Sequence, residues 1–272
     1  MAVSIDSFPT FLASDGDGYE AQMGRWSRRL APLLIGFAGI DGGRRVLDVG
    51  CGTGSLAFAL AGDPRIGEVQ GIDLSSAYIE HARQRARGRR IEFRVGDACA
   101  LPFEDATFDH CLSSLVLQFV PHPERAVAEM RRVTRSGGVV GACTWDTRGG
   151  ILIHRMFFDT AAVIDPAAAE RRGKACARRM SRAEGLVEAW RGAGLVDVVH
   201  ASLTIRMEFT SFADFWEPLD GRDGPYAEYL MTLSGERKAE VRRLVAAAYL
   251  DGEPDGPRSY AASAWAVRGK VP

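Results

Sequence analysis

The sequence lacks long apolar runs. No segment approaches the roughly 18 consecutive apolar residues that a membrane-spanning helix needs. The first residues also lack a basic stretch followed by an apolar run, which is the pattern of a secretory signal peptide. We therefore expect a cytoplasmic protein without a membrane partner.

The chain also lacks an excess of charge of either sign, and it has few cysteines. The chain has 34 Lys and Arg residues against 35 Asp and Glu residues, so its formal net charge of −1 gives no electrostatic case for binding nucleic acid. Its five cysteines are odd in number and show no C-x-x-C spacing, so no metal site is predicted. With 272 residues, 46% of them hydrophobic, the chain is long enough for one domain with insertions or for two small domains.

Residues 44–60 form the most informative segment. A β-branched and leucine run ends in an acid, passes three closely spaced glycines and enters an alanine-rich stretch, which predicts a strand, a tight turn and a helix. Gly50, Gly52 and Gly54 permit positive φ and let a ligand approach the backbone. Because the helix that begins near Ser55 presents free N–H groups to this turn, we expect a nucleotide-like ligand.

The spacing of the glycines disfavours a dinucleotide such as NAD(P) as the ligand. The dinucleotide fingerprint G-x-G-x-x-G would need glycine at position 55, where the chain has Ser55. Asp48 also stands two residues before the first glycine. An NAD(P)-dependent oxidoreductase is therefore the weaker alternative, although it shares the strand, the glycine turn and a distal acid.

Three acids recur at the period of βα units. Asp48, Asp73 and Asp97 are 25 and 24 residues apart, and each closes a β-rich run. Successive units of this length form a parallel sheet whose carboxyl ends line a common crevice. Three carboxylates there suit a ligand with a diol and positively polarised groups, and they would repel a pyrophosphate.

Together, these motifs resemble a known family. The pattern D-x-G-x-G-x-G, filled by Asp48, Gly50, Gly52 and Gly54, is similar to the first motif of class I S-adenosylmethionine-dependent methyltransferases. The similarity extends over residues 44–146 and is closest to the group that includes ubiquinone and menaquinone biosynthesis methyltransferases. It implies an α/β, Rossmann-like doubly wound sheet of seven strands, mostly parallel with an antiparallel edge strand, plus helical lid inserts.

The resemblance also implies a cofactor, S-adenosyl-L-methionine, and roles for residues at its adenosine end. Asp73 would bind the ribose hydroxyls and Asp97 the adenine amino group, while Leu74 and Ala98 would flank the adenine ring. Asp97 has an alternative interpretation as a loop acid that bonds only its own turn.

The methionine end of the cofactor would meet the glycine turn. The resemblance assigns the backbone of residues 50–54 and the Ser113 carbonyl to this end. Asp48 would either stabilise the turn or bind the ligand's ammonium group. Arg25 would pair with the ligand's carboxylate or is a surface arginine. The complete predicted cofactor site is Asp48, Gly50, Cys51, Gly52, Gly54, Asp73, Leu74, Asp97, Ala98, Ser113, Gln118 and Arg25.

Methyl transfer from a sulfonium requires no particular catalytic side chain. The leaving group is already activated, so the protein must mainly align the acceptor and exclude water. Where an acceptor needs a base, the candidates by position are Tyr19, His122 and His154. Each is individually more typical of a structural or solvated residue.

The segments outside the predicted core divide the chain. We expect an N-terminal helical cap (1–43), the cofactor-binding core (44–147) and its continuation (181–209), and a final strand (258–272). The two remaining segments, residues 148–180 and 210–257, are interpreted as helical inserts that form a lid. The arginine-rich run at residues 171–179 is expected to be a solvated helix face.

Three functional classes follow. The leading hypothesis is methylation of a small, partly hydrophobic or aromatic metabolite, with no nucleic acid partner. The sequence does not determine the oligomeric state. The alternatives are the nicotinamide-dependent oxidoreductase and a non-catalytic protein that binds S-adenosylmethionine on the same fold.

Overall fold

The computed structural model describes residues 14–40, 42–87 and 90–272, so residues 1–13 of the predicted N-terminal cap lie outside the described residues. The strands are β1 (Gly43–Val49), β2 (Ile66–Asp73), β3 (Ile91–Val95), β4 (Phe108–Ser114), β5 (Thr134–Trp145), β6 (Val196–Phe209) and β7 (Arg258–Lys270). The helices are α1 (Gly16–Tyr19), α2 (Arg25–Ala38), α3 (Ser55–Ala61), α4 (Ser76–Arg85), α5 (Pro123–Val133), α6 (Leu152–Ala161), α7 (Pro166–Ala177), α8 (Ala183–Gly192), α9 (Phe212–Leu219), α10 (Gly224–Leu230) and α11 (Gly235–Leu250).

The strands form one seven-stranded sheet in the order β3-β2-β1-β4-β5-β7-β6. The first five positions are parallel, with Val46 of β1 paired to Val69 of β2 on one side and to His110 of β4 on the other. β7 runs antiparallel to both β5 and β6, so the reversed strand lies one place inside the edge that β6 occupies. The predicted mostly parallel α/β fold is confirmed.

Both faces of the sheet are buried, as a parallel sheet requires. Neighbouring residues of β1 project to opposite faces, so Val46 joins the apolar cluster beneath α2 and α3 while Leu47 joins the cluster beneath α5 and α8. This explains why β1 reads as a continuous apolar run rather than an alternating one.

The strand order places the ligand crevice. From β1 the chain moves outward through β2 and β3, then returns across the sheet to add β4 on the other side of β1. A crevice opens at the carboxyl ends of the strands where the order reverses. Asp48 near the end of β1 and Asp73 at the end of β2 are therefore brought to one place.

The segments outside the core are helical. Residues 148–180 contain α6 and α7, and residues 210–257 contain α9, α10 and α11. Phe157 of α6 contacts four aromatic rings with centroids 5.0–6.1 Å away, contributed by Phe158, Trp216, Tyr226 and Tyr229, and so joins the two inserts. Within the described part of the chain, no helix combines the length and apolarity needed to cross a bilayer.

We expect Phe157→Ala to destabilise the protein by about 3–5 kcal/mol, because it opens a cavity in this fully buried ring cluster. Val163→Ala, at a side chain that is 77% exposed, is the matched control and should change the free energy of unfolding by less than about 0.5 kcal/mol. Urea denaturation measures both. A loss below about 1 kcal/mol for Phe157→Ala would show that the ring cluster does not hold the inserts together.

Candidate active site

A cavity of about 590 Å³ opens at the carboxyl ends of the central strands. Its volume lies within the range of roughly 300–1,000 Å³ that small-molecule sites occupy. Its floor is the turn after β1 and the ends of β2, β3 and β4, and the rest of its wall comes from the N-terminal helix, α6, α7 and α10. The inserts and the predicted cofactor residues thus share one cavity.

The turn after β1 is held by backbone hydrogen bonds. The N–H groups of Gly50 and Cys51 both donate to the Ile72 carbonyl, and the Gly52 N–H donates to Asp73 Oδ2 at 2.8 Å. Gly52 has a φ of +53°, and a Cβ added there would find only Tyr78, at 3.9 Å. The side of Gly52 that lacks a side chain therefore faces open space in the cavity.

The other two glycines serve packing. A Cβ at Gly50 would lie 2.4 Å from Val116, and one at Gly54 would lie within 3 Å of the Phe58 and Phe93 rings. Gly54 does not line the cavity, in contrast to its predicted contact with the ligand. It starts α3 with a φ of +94° and allows that helix to pack closely on the sheet.

Asp48 is a buried carboxylate that lines the cavity. Among the described residues neither oxygen has a partner at hydrogen-bond geometry, and the donor that approaches most effectively is the Ala57 N–H in the first turn of α3. Burial raises the pKa of Asp48 to about 8, with a smaller contribution from the negative charge of Asp73, and Ala57 opposes the rise. The site is thus built around a carboxyl group that is costly to ionise without a cation.

Asp73, unlike Asp48, has hydrogen-bond partners for its carboxylate. Its carboxylate accepts the N–H groups of Gly52 and Ser75 at 2.8 and 2.9 Å, yet burial still raises its pKa. Leu74, which follows, lines the cavity with a side chain that is 72% exposed. Asp97 and Ala98 also line the cavity, and Asp97 Oδ1 accepts the Cys99 N–H at 2.8 Å.

The N-terminal helix covers the glycine turn. A π-helical segment, Glu20–Gly24, joins α1 to α2, and Glu20 accepts hydrogen bonds from the Thr53 hydroxyl at 2.5 Å and from Arg85 at 2.9 Å. Burial acts to raise the pKa of Glu20, but these donors and Arg28 together lower it. The ionised Glu20 therefore fastens the helix to the turn.

Four residues of this covering helix line the cavity: Tyr19, Gln22, Met23 and Ser27. Burial raises the pKa of Tyr19 to about 12, and its hydroxyl lies 3.3 Å from Ser27 Oγ. Gln22 is buried, and its Nε2 has no partner among the described residues. Gln22 was not predicted, because an isolated amide in an amphipathic helix carries no sequence signal.

Arg25 and Ser113, both predicted cofactor residues, do not line the cavity. Arg25 lies outside the cavity, where its guanidinium bonds Asp214 at 2.7 Å and stacks on the Trp26 ring. Ser113 is fully buried within β4, and the cavity is instead lined by Ser114 and Leu115. Leu115 adopts a φ of +64°, which turns the chain after β4 toward the cavity.

Of the candidate bases, Tyr19 and His154 line the cavity and His122 does not. His122 is exposed at the start of α5, where its carbonyl accepts N–H groups of that helix. His154 is buried, with Nδ1 at 3.2 Å from the Tyr226 hydroxyl. Burial lowers the pKa of His154 to about 4, so this imidazole is neutral at physiological pH.

Gln118 lines the cavity as predicted, and its Oε1 accepts the backbone N–H of Trp145 at 3.0 Å.

The helix α7 supplies wall residues that sequence reasoning assigned to solvent. Arg171, Lys174 and Arg178 all line the cavity. Their spacing of three and four residues places them on one helix face, but only the docking of α7 reveals which way that face points.

Comparisons with known proteins agree with the fold. Residues 47–141 match the family described as a methyltransferase domain. An uncharacterised protein of Mycobacterium tuberculosis is 34% identical over 122 residues, 44% of this chain and 44% of that protein. A malonyl-[acyl-carrier protein] O-methyltransferase of Serratia marcescens is 37% identical over 113 residues, 42% of this chain and 43% of that protein. The alignments therefore span less than half the length of these curated relatives.

Solved structures extend the likeness of fold over the whole chain. Phosphoethanolamine N-methyltransferase 2 of Haemonchus contortus, in complex with S-adenosyl-L-methionine, has a TM-score of 0.60 at 18% identity and covers 100% of this chain and 61% of that one. A [4+2]-cyclase has a TM-score of 0.53 at 25% identity and covers 97% of this chain and 87% of that one. The resemblance to class I methyltransferases drawn from the motifs is confirmed.

The pKa of Asp48 makes a prediction about stability. The unfolded chain releases the Asp48 proton near pH 4, whereas the folded protein keeps it until about pH 8. Stability that is fully present below pH 4 is therefore lost as the pH rises to 8, with a limiting slope of about 1.4 kcal/mol per pH unit. Asp48→Asn removes this loss.

Urea denaturation at pH 5 and pH 8 measures the effect. The parent protein should lose more free energy of unfolding between these values than Asp48→Asn, because every other titrating group contributes similarly to both. Equal losses in the two proteins would contradict the burial of an unpartnered carboxyl group at position 48.

Proposed function

We propose that this chain, whose residues 47–141 match the methyltransferase domain family, transfers a methyl group from S-adenosyl-L-methionine to a small, partly hydrophobic or aromatic acceptor. The observation that carries the proposal is the buried carboxyl group of Asp48, which has no cationic partner among the described residues and lines the cavity beside the glycine turn. A cationic ligand that fits the turn would complete this site.

The residues present fit that cofactor. Asp48 would face the ammonium group of its methionine part, and the open side of Gly52 would let the chain of that part pass the backbone. Asp73, with lone pairs beyond the two N–H groups it binds, would accept the ribose hydroxyls. Leu74 and Ala98 would flank the adenine ring, and Asp97 would accept from its amino group.

When bound, the cofactor supplies a methyl group on a positively charged sulfur. The chain's own residues then have to hold the acceptor in line and exclude water. Apolar wall residues such as Phe158 and Trp145 provide the dry surface for this. Neutral His154, fixed by Tyr226, would bind a polar group of the acceptor or take a proton from it.

The oxidoreductase alternative is not favoured, because the chain has Ser55 where the dinucleotide fingerprint needs glycine, and the Asp73 carboxylate beside the turn would repel the pyrophosphate of a dinucleotide. A protein that binds the cofactor without transferring its methyl group is the second alternative. The fold is shared with a cyclase, so activity has to be argued from the site and tested by turnover.

We further propose that the N-terminal segment and the second insert form a lid over the cofactor. Asp223, at the start of α10, accepts hydrogen bonds from the Ser14 N–H and hydroxyl, the Asp15 N–H and the Tyr78 hydroxyl, at 2.7–3.1 Å. This one carboxylate links three separate segments around the cavity. Releasing it would open the cavity to both substrates.

The glycine turn offers a direct test of binding. Gly52→Val should abolish binding of S-adenosylhomocysteine in titration calorimetry, since the added side chain projects into the cavity. Gly137→Val is the matched control, because Gly137 also has positive φ, at +77°, and open space around it, but lies outside the cavity. Unchanged affinity in a folded Gly52→Val protein would show that the turn does not contact the ligand.

The lid makes a separate prediction. Amide exchange in residues 17–30 and 210–232 should slow when S-adenosylhomocysteine is added, while β1 changes little. Asp223→Ala should speed exchange in residues 14–19 and 223–230 without ligand, because four hydrogen bonds are lost. Equal protection with and without ligand would make these segments fixed architecture.

Transfer itself is tested by incubating the protein with S-adenosylmethionine and a panel of phenols, carboxylic acids and amines, with S-adenosylhomocysteine formation as the readout. The proposal expects acceptor-dependent product formation that Gly52→Val abolishes and Gly137→Val retains. Tight cofactor binding without product from any acceptor would favour the non-catalytic alternative.

A further inference from the structure

Part of the cavity wall is basic. Arg171 and Lys174 lie on one face of α7, and Arg178 follows at its C-terminal cap. Glu228 of α10 lies in the same wall and its charge acts on Arg178, so three cations face one carboxylate there. The cavity is therefore lined both by the acids of the strand ends and by this group of cations.

Two of these cations are not neutralised by a contact ion pair. Lys174 pairs with Glu170 at 2.8 Å, but neither Arg171 nor Arg178 has a carboxylate within 4 Å in the described part of the chain. Arg178 instead lies over the ring of Phe119, 4.8 Å from its centroid, and Arg171 lies 5.9 Å from the centroid of Tyr229. The N–H groups at the edges of both guanidinium planes can donate to a carboxylate or phosphate.

The helix dipole alone does not account for this arrangement. A cation in the last turn stabilises a helix C-terminus, and Lys174 and Arg178 both lie near that end of α7. Such a role is fulfilled equally well by a solvated side chain. Arg178, however, is partly buried, which lowers its pKa, and a buried cation costs free energy unless an anion compensates it.

Unpartnered polar atoms point to a ligand in the same wall. Trp145 and His154 are 4% and 5% exposed and line the cavity, and neither Trp145 Nε1 nor His154 Nε2 has a hydrogen-bond partner among the described residues. Trp145 Nε1 can only donate. The positive charge of Arg178 also acts on His154, so His154 and Arg178 belong to one region of the cavity.

We propose that the methyl acceptor is an anion: an apolar or aromatic body that carries a carboxylate or phosphate group bound by Arg178 and Arg171. The body would lie among Phe119, Phe158 and Tyr226, and Trp145 Nε1 would donate to a polar atom of the acceptor. The inference rests on the proposed function, since it assigns the acceptor half of the same cavity.

The test uses the protein saturated with S-adenosylhomocysteine and three probes of nearly equal shape. Titration calorimetry compares 2-naphthoate and 2-naphthyl phosphate with the neutral 2-naphthamide. At least one anion should bind about tenfold or more tightly than the amide, the gain expected for a charge-assisted contact, and the stronger anion identifies the group that the arginines select.

Two substitutions then locate the effect. Arg178→Gln should weaken the preferred anion about tenfold and leave the amide unchanged, and Arg171→Gln should act in the same direction. Arg179→Gln is the matched control, because Arg179 is the neighbouring residue, pairs with Glu124 and Glu188 on the surface and lies outside the cavity. It should change neither affinity.

Three outcomes would overturn the inference: equal binding of anions and amide, no binding of either anion, or an anion preference that survives Arg178→Gln. Its failure is distinguishable from failure of the proposed function. If S-adenosylhomocysteine binds but the anion preference is absent, only the acceptor assignment is wrong, whereas absence of S-adenosylhomocysteine binding refutes the proposed function itself.

Discussion

The structure depends on one unfavourable arrangement, a carboxyl group buried at the carboxyl end of the central strand with no cationic partner among the described residues. Asp48 is 1% exposed, and the only favourable field it receives from the described residues is that of the first turn of α3. Ionising it in this buried position is costly, so its pKa rises. A ligand with a positive charge offsets the free energy needed to ionise Asp48. The buried acid therefore lowers the stability of the ligand-free protein and favours binding of a cation.

The surrounding elements follow from that constraint. The turn has to be free of side chains at Gly52 so that the ligand reaches the carboxylate, and it has to be held by other bonds, which Ile72 and Asp73 supply. The site also has to be dry, because water would screen the carboxylate. The N-terminal helix, fastened through Glu20 and Asp223, and the aromatic inserts provide the cover.

The fold and the acidic half of the site could be predicted because their signals are local. Glycines of a turn and acids at strand ends recur at the βα period, and parallel strand ends must meet at one edge. Arg25, Gly54, Ser113 and His122 do not line the cavity, because the sequence pattern does not determine which way each of these residues points. Arg25 instead forms an ion pair with Asp214, and Gly54 allows α3 to pack closely on the sheet. The basic face of α7 was missed because the orientation of this helix depends on contacts distant in sequence, such as the hydrogen bond from the Tyr229 hydroxyl to Asp165 at its N-cap.

The central claim is that a cationic ligand completes the site at Asp48. The most direct measurement is calorimetric titration of the protein with S-adenosylhomocysteine at pH 7 in two buffers of different ionisation enthalpy, in parallel with Asp48→Asn. The account predicts that binding releases up to one proton in the parent protein, because the ligand's ammonium lowers the pKa of Asp48 from about 8, and releases clearly less in the variant. Binding without proton release from the parent protein, or no binding at all, would contradict it.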